Sequence, residues 1–440
     1  MSIQALPGFR DFYPEELALR THIFDAMRRV ARRYGFEEYD GPPLEPLELY
    51  TGKSGEEIVA QLYSFVDKGD RAVALRPEMT PTLARMVAQR ASALKKPIRW
   101  FSIPQLFRYE RHQRGRLREH FQLNCDLIGE PGPGGDAEII ALAIDVMRAL
   151  GLSPADVRVR LSDRRMLSVW LGETGIGTGR QDLAFQAIDK LGRSEYGARK
   201  RALLDSGAPA EGVEAVERLP ELRSWADLEA AFPRTAGAGE PLRQTIGALE
   251  AMGFGDFVDL DLTIVRGLAY YTGTVFELFD AQGELRAICG GGRYDDLLER
   301  VGGMSLPALG FGMGDVVLGE LLKARGMAPV PPPSVEVFLV AVTAEQRPTV
   351  LNLARTLREQ NIPVEYSLSS ERVPKQLKLA DARRARFAVM IGPEEQARGT
   401  ILIKNLEDGN QREVALTSAG LELRAALDET GQGSGARGQR

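Results

Sequence analysis

Apolar residues recur along this chain with two different periods. Between Pro14 and Tyr34, Ile23, Met27, Val30 and Tyr34 share one face of a helix, while Arg28, Arg29, Arg32 and Arg33 lie elsewhere. Gly35 follows at the position that commonly closes a helix. EEYDGPPLEPLELY (37–50) is broken by Pro42, Pro43 and Pro46 and reads as extended. Two-residue alternation then predicts strands in RAVALRPE (71–78), RWFSIPQLFRYE (99–110) and FQLNCDLIGE (121–130), with RGRLR (114–118) as a hairpin loop between the last two. PGPGGD (131–136) reads as a turn, and a helix follows over 137–150 with Ile139, Ile140, Leu142, Ala143, Val146 and Leu150 apolar. From Arg164 to about Phe254 strand signals vanish and short amphipathic helices alternate with breaks, which predicts a helical insertion. Strands return with VDLDLTIV (258–265), YTGTVFELFD (271–280) and LRAICG (285–290). PALGFGMGDVVLGELLKARG (307–326) then reads as a glycine-rich strand leading into a helix.

The proline-rich stretch GMAPVPPPS (326–334) marks a linker. Beyond it VEVFLVAV, VEYSLS and FAVMIG alternate with helical patterns, which implies a small α/β unit with parallel strands. A hairpin, TILIKN and REVALT around LEDGN, and a last helix finish it. The tail GQGSGARGQR has a disordered composition. The expected partition is an α+β unit over 1–163 and 255–326, the insertion at 164–254, a linker at 327–334, the α/β unit at 335–429 and a tail at 430–440.

Composition narrows the class. A chain of 440 residues, 44% hydrophobic and 27% charged, buries a sizeable core without covalent staples. Its two cysteines, Cys125 and Cys289, are far apart and fit a reducing compartment. The N-terminus lacks a signal-peptide pattern, and no apolar run approaches the roughly 20 residues that span a bilayer. The expected location is therefore the cytoplasm, with no membrane association. A net charge of −5 excludes a uniform basic coat but not a local nucleic-acid site. Three histidines, His22, His112 and His120, cannot build a multi-histidine metal centre, and no metal-ligand set is expected.

The chain has no GxxxxGK[ST] loop, no GxGxxG after a strand and no GxSxG elbow. Cationic chemistry concentrates instead between Arg99 and His120, where six arginines face only Glu110 and Glu119. In FRYE (107–110), strand alternation puts Arg108 and Glu110 on one face, an arginine fork for phosphate beside a carboxylate for an amine. The basic loop after it suits an RNA end; a solvated arginine hairpin explains the same charges equally well. RPEMTPT (76–82) groups Glu78, Thr80 and Thr82, suited to an amino group, or simply a helix start with Thr80 as N-cap and Pro81 at the first position. VRGLAYYTGTVFE (265–277) joins Arg266 to Tyr270 and Tyr271, a polar pocket or an aromatic hairpin. CGGGRYDDLL (289–298) and LGFGMGD (309–315) are dense in glycine, where a ligand or another backbone can approach closely.

Together and in this order, these segments resemble the histidyl-tRNA synthetase family of class II synthetases over nearly the whole chain. GFRDFYP resembles the family's opening, YDGPPLEPLELY its first motif at a dimer interface, and FRYERHQRGRLREHFQLNCDLIGE its second motif. VRGLAYYTGTVFE resembles its histidine-specific element, and the terminal α/β unit resembles an anticodon-binding domain. The resemblance implies a class II catalytic domain with a mainly antiparallel sheet, ATP and Mg²⁺, and L-histidine and tRNA(His) as partners of a homodimer. Arg108 would hold the ATP α-phosphate and Glu110 the adenine side. Glu78 and Thr80 would bind the histidine amino group, Gln122 and Asp126 the histidine itself, and Tyr270 and Tyr271 would shape its imidazole pocket. Arg266 would bridge the carboxylate and α-phosphate as the second catalytic arginine beside Arg108. Arg116 would face ATP phosphates and the tRNA end.

Four positions depart from the family pattern. Asp126 stands where Glu is common, Ala269 where Asp is common, and His112 where Pro is common. In the third motif Val317 stands where an arginine usually meets the γ-phosphate, which leaves Arg116 or Arg293 as substitute cations for ATP. The implied function is ATP-dependent activation of histidine and its transfer to tRNA. The alternatives are a non-catalytic regulatory subunit of ATP phosphoribosyltransferase, which generally lacks the terminal domain and the RGLxYYTGTVFE element, and an RNA-binding scaffold with an inactive core.

Overall fold

The apolar stripe of the N-terminal helix, Pro14–Arg33, buries Ile23, Met27 and Val30. Its Pro sits in the first turn, where a missing N–H costs nothing, and Arg32 and Arg33 complement the dipole at its C-terminal end. The computed structural model describes residues 3–51, 59–110, 117–266, 270–283, 285–330, 333 and 335–434. By backbone contacts the chain divides into two compact units, Met1–Pro329 and Val330–Arg440.

In the first unit the strands are β1 (Glu37–Glu38), β2 (Leu44–Pro46), β3 (Ser64–Val66), β4 (Ala72–Leu75), β5 (Ile98–Ser102), β6 (Gln105–Phe107), β7 (Glu119–Ile128), β8 (Val157–Asp163), β9 (Val258–Leu260), β10 (Thr274–Asp280), β11 (Cys289–Arg293) and β12 (Ala308–Gly314). The main sheet runs β1-β5-β7-β12-β11-β10-β8-β9, with β6 paired to β7 outside that path. Among the described residues only the end pairs of this sheet, β1 with β5 and β8 with β9, are parallel. The mainly antiparallel sheet therefore stands as expected. β2, β4 and β3 form a separate antiparallel sheet of three strands.

One face of the main sheet carries most of the core, while Ile98, Ile128, Val275 and Ala308 pack in a second cluster with Leu83 and Val87. Helix Pro133–Ala149 lies on the first face and buries Ile139, Ile140, Leu142, Val146 and Met147. Each such side chain contributes about 1.5–3 kcal/mol by leaving water. Between β8 and β9 the chain is helical, from Arg164–Glu173 to Glu240–Ala251 and a short turn at Gly255–Phe257. Trp170, Leu203, Val213, Leu228 and Leu249 of this region join the same core as β7 and the helix Pro133–Ala149. The helical region is thus continuous with the sheet's own core.

Several boundaries differ from the sequence expectation for local physical reasons. The strand expected over 99–110 splits at Pro104, which has no N–H for the ladder, into β5 and β6. The expected turn 131–136 is shorter, because Pro133 takes the first turn of its helix. The strand expected over 258–265 stops at Leu260, where the Asp261 carboxylate accepts from the Thr263 N–H at 3.0 Å and closes a turn. The strand of 271–280 begins only at Thr274, and that of 285–290 shifts to Cys289–Arg293. There Gly291 allows the close pairing, since a Cβ would overlap the Gly310 carbonyl and Phe311. Thr80 is the first helical residue of Thr80–Arg90 rather than its cap; Met79 is the cap. The end of the extended stretch 37–50 is a single helical turn, Glu48–Thr51. The expected RGRLR hairpin loop falls largely outside the described residues.

The second unit has β13 (Val337–Ala341), β14 (Val364–Tyr366), β15 (Phe387–Ile391), β16 (Thr400–Asn405) and β17 (Gln411–Ala415), in the order β14-β13-β15-β16-β17. β14, β13 and β15 are parallel, as strand–helix alternation requires, and the hairpin β16–β17 is antiparallel. Alternate residues of β13 feed two cores, Val337 and Leu339 on one side and Phe338 and Val340 on the other. The last helix, Ala419–Ser434, continues past residue 429, where composition predicts the tail to begin.

Candidate active site

β7 builds the site by two-residue alternation. Leu123, Cys125 and Leu127 point into the core. His120, Gln122, Asn124 and Asp126 share the opposite face and line a cleft. The facing strand, β12, is paired with β7 so that Gly312 lies opposite Asn124 and Gly310 opposite Asp126. A Cβ on Gly310 would overlap the Asp126 carboxylate, and one on Gly312 would come within 2.6 Å of the Gln122 amide carbon. The alternating glycines therefore clear space for the polar side chains of β7. Gly290 of β11 does the same for Arg266, whose guanidinium occupies the volume a Cβ would need.

The cleft has two connected parts. A small cavity of about 60 Å³ is lined by Glu78, Thr80, Asn124, Asp126, Tyr270, Tyr271 and Tyr294, among others. A larger one of about 300 Å³ is lined by Glu110, Leu117, His120, Glu277, Arg286, Val316 and Val317, among others. Arg108, Gln122, Arg266, Gly290 and Gly312 line both, so two arginines stand at the junction.

The small cavity is polar and aromatic. Tyr294 donates its hydroxyl proton to the Asp126 carboxylate. Burial pushes the Asp126 carboxyl up to about 7, with the Tyr294 hydrogen bond opposing that rise. Tyr270 packs on Tyr271 at 5.0 Å and edge-on to Tyr294 at 5.9 Å, and its hydroxyl reaches the Glu78 carboxylate at 3.4 Å. Burial raises the Tyr270 hydroxyl far above the usual phenol range, so it acts as a neutral donor.

The junction arginines are held differently. Arg108 donates from Nε to the Pro77 carbonyl at 3.0 Å, just past the end of β6. Arg266 has a left-handed backbone, φ 56°, which costs a β-substituted residue energy and places its guanidinium 2.8 Å from Glu277. In the larger cavity, desolvation and then the charges of Arg108 and Arg10 depress the His120 imidazole to about 3. His120 is therefore a neutral ring at physiological pH.

The family model described as Histidyl-tRNA synthetase matches residues 8–314, and one described as an Anticodon binding domain matches 336–425. The chain belongs to the histidyl-tRNA synthetase family. It is 45% identical to a Histidine--tRNA ligase of Opitutus terrae over 421 residues, covering 94% of this chain and 96% of that one. It is 40% identical to the chloroplastic/mitochondrial Histidine--tRNA ligase of Arabidopsis thaliana, over 93% of this chain and 84% of that one. The crystal structure of histidyl-tRNA synthetase from Nostoc sp. PCC 7120 superposes with a TM-score of 0.81 at 26% identity, covering 97% of this chain and 100% of that one.

Of the residues singled out by resemblance to the histidyl-tRNA synthetase family, the structure brings Glu78, Thr80, Arg108, Glu110, Gln122, Asp126, Arg266, Tyr270 and Tyr271 to the cleft. Arg293 does not come with them. It is 1% exposed, pairs with Asp136 at 2.7 Å and Asp295 at 3.3 Å, and donates to the carbonyls of Glu130 and Gly132. Its donors fasten β11 to the start of the helix Pro133–Ala149, so it is withdrawn as an ATP-binding candidate. Arg116, His112 and Ala269 lie outside the described residues. Glu110 reaches the cleft from the chain beyond β6 rather than from a strand.

Sequence reasoning overlooked His120, Asn124, Glu277, Arg286 and Tyr294, all of which line the cleft. A signal for two of them was present: HFQLNCD places polar side chains at 120, 122, 124 and 126, one face of a strand whose other face is apolar.

Proposed function

We propose that the chain is a histidine–tRNA ligase that uses ATP to activate L-histidine and passes it to tRNA(His). The observation that carries this reading is the paired cavity with two arginines at its neck. An amino acid in the small part and a nucleotide in the large part would meet at Arg108 and Arg266. The curated relatives named as Histidine--tRNA ligases, similar over nearly the full chain, support the same reading.

In the small cavity the imidazole would donate to Asp126 with Gln122 beside it, and Tyr270 and Tyr271 would wall the ring. Glu78 and Thr80 would hold the ammonium group. A site that buries such groups rejects apolar amino acids, because its own polar atoms would go unpaired. In the large cavity Glu110 would take the adenine side and Arg108 the α-phosphate. A carboxylate oxygen of histidine attacks the α-phosphorus in line, forming the mixed anhydride as the bond to pyrophosphate breaks. No proton leaves the carboxylate, so positioning and charge neutralisation by Arg108 and Arg266 carry the step. The terminal ribose hydroxyl of tRNA then attacks the acyl carbon and AMP departs.

Mg²⁺ would supply further charge neutralisation on the phosphates. Among the described residues no group of three or more carboxylate, histidine or cysteine ligands could hold a metal, so the ion would arrive on the triphosphate. Glu110 and Glu277 are the carboxylates among the residues that line the large cavity. Arg116 is proposed to meet ATP phosphates and the tRNA acceptor end. The domain partition proposed is a class II catalytic domain over 1–163 and 255–326 with the helical insertion at 164–254, and the anticodon-binding domain over 335–429. We further propose a homodimer through the β2-β4-β3 sheet, where Phe65 and Val66 are exposed. A cytoplasmic location is proposed with it; no helix among the described residues is long and apolar enough to cross a membrane.

The test is charging of tRNA(His) with labelled histidine in the presence of ATP and Mg²⁺. Robust charging is expected. A folded sample that binds tRNA but neither charges it nor exchanges pyrophosphate into ATP would overturn the ligase reading in favour of an inactive scaffold.

A further inference from the structure

The charges of the cleft are unevenly distributed. In the larger cavity the described cations are Arg108, Arg266 and Arg286, because His120 is neutral. Arg108 and Arg266 also line the small cavity and so belong to the junction. Arg266 is matched there by Glu277. Arg286 lines the large cavity only, and its side chain is exposed to solvent. It stands just before β11, in a segment tied on both sides: Ile288 donates to the Leu278 carbonyl at 2.8 Å and accepts from the Gly314 N–H at 3.3 Å. That second bond sets the segment against Gly314, the N-cap of the helix Asp315–Ala324, whose first-turn residues Val316 and Val317 line the cavity without charge.

In-line displacement fixes where the leaving group goes. The attacking carboxylate comes from the small cavity, so pyrophosphate must depart into the large one, on the far side of the junction. Charge grows on that leaving group as the bond to the α-phosphorus breaks. Beside the Mg²⁺ and Arg116 proposed above for the ATP phosphates, a fixed cation of the large cavity would stabilise it.

We propose that Arg286 is that cation: it binds the β- and γ-phosphates of ATP and stabilises the departing pyrophosphate in the cavity that the uncharged Val317 also lines. This rests on the ligase reading above. A guanidinium there grips two phosphate oxygens at once, which an ammonium cannot do.

The experiment compares the wild-type protein with R286A and R286K in two measurements. Equilibrium binding of ATP and AMP reads which phosphates the side chain touches, and histidine-dependent pyrophosphate exchange reads the activation step. R286A is expected to weaken ATP by about tenfold or more while leaving AMP within about twofold, and to lower exchange at least as much. R286K is expected to recover part of the loss. Transfer to tRNA from histidyl-adenylate supplied preformed should be unchanged, because pyrophosphate has already left; this also shows that the variant is folded. ATP binding and exchange equal to wild type in R286A, or an equal loss for AMP and ATP, would overturn the assignment. A wild-type protein that binds ATP in an Arg286-dependent way yet exchanges no pyrophosphate would overturn the ligase reading and leave the phosphate contact standing.

Discussion

At the scale of single residues, the cleft holds groups whose burial is unfavourable without a ligand. Asp126 titrates at about 7 because burial penalises its charge. The groups around it, Tyr294 and Tyr39 with Cys125 alongside, are neutral there, since burial raises all three. Two consequences of opposite sign follow. Histidine binding, proposed above to use the ionised carboxylate, should strengthen as pH rises through about 7. D126N should lose that limb and bind histidine about tenfold or more weakly at pH 8; pH profiles of KM for histidine would show it. The substrate's own imidazole titration affects both proteins alike, so superimposable profiles would refute the role. For folding, a carboxyl raised above its unfolded value contributes stability that is complete below the usual carboxylate range and lost as pH rises through about 7. D126N without substrate should therefore resist urea better than wild type at pH 8, but not at pH 4. Arg266 offers a geometric counterpart. A methyl at Gly290 would take the space of its guanidinium. G290A should cut pyrophosphate exchange by about a hundredfold, the typical effect of a small misplacement. A G290A enzyme with normal exchange would mean that Arg266 can act from another position.

Elements place these residues, and here the sequence was legible wherever one period held along a whole segment. The helix Pro14–Arg33, β7 and the step from β12 into the helix Asp315–Ala324 all follow from alternation and caps. What could not be read are the interruptions, because they depend on pairing or on distant side chains. β11 shifts toward residue 293 only because β10 and β12 flank its glycines. Arg293, which reads as a candidate ligand-binding arginine beside a glycine run, is a structural clamp because Asp136 lies far along the chain at the start of a helix. Arg10 shows the same long-range logic. It joins Glu119, at the start of β7, to Asp315, at the start of the helix after β12, at 2.6 and 3.0 Å. Asp315 also accepts from the Phe121 N–H at 2.9 Å. Both carboxylates are nearly inaccessible, so removing the guanidinium would leave them buried and uncompensated. R10A should cost about 3 kcal/mol in urea unfolding. A loss below about 0.5 kcal/mol would mean that the trio relaxes into water.

At the scale of the whole molecule, the two compact units separate within the proline-rich stretch, between Pro329 and Val330. Composition alone marks that place, since prolines without apolar periodicity cannot join either core. Each unit is self-sufficient in the terms that decide folding. The second has apolar clusters on both sides of its sheet, around Leu339 and Phe338. The first contains every described residue that lines the two cavities of the cleft. On the proposed function, activation of histidine is expected to need nothing from beyond the linker, and tRNA recognition to draw on the unit that matches the family model described as an Anticodon binding domain. A fragment ending at Pro329 should fold cooperatively and exchange pyrophosphate within a few-fold of the full chain, yet charge tRNA at least about tenfold less efficiently in kcat/KM for tRNA. The split between the two assays is the informative quantity, because a fragment destabilised by truncation would lose both together. Supplying histidyl-adenylate directly should not restore the loss, since the deficit would lie in RNA affinity rather than in activation. Equal losses in a fragment whose circular dichroism and melting remain cooperative would instead make the second unit part of the activation machinery, and the cleft of the first unit would then be incomplete.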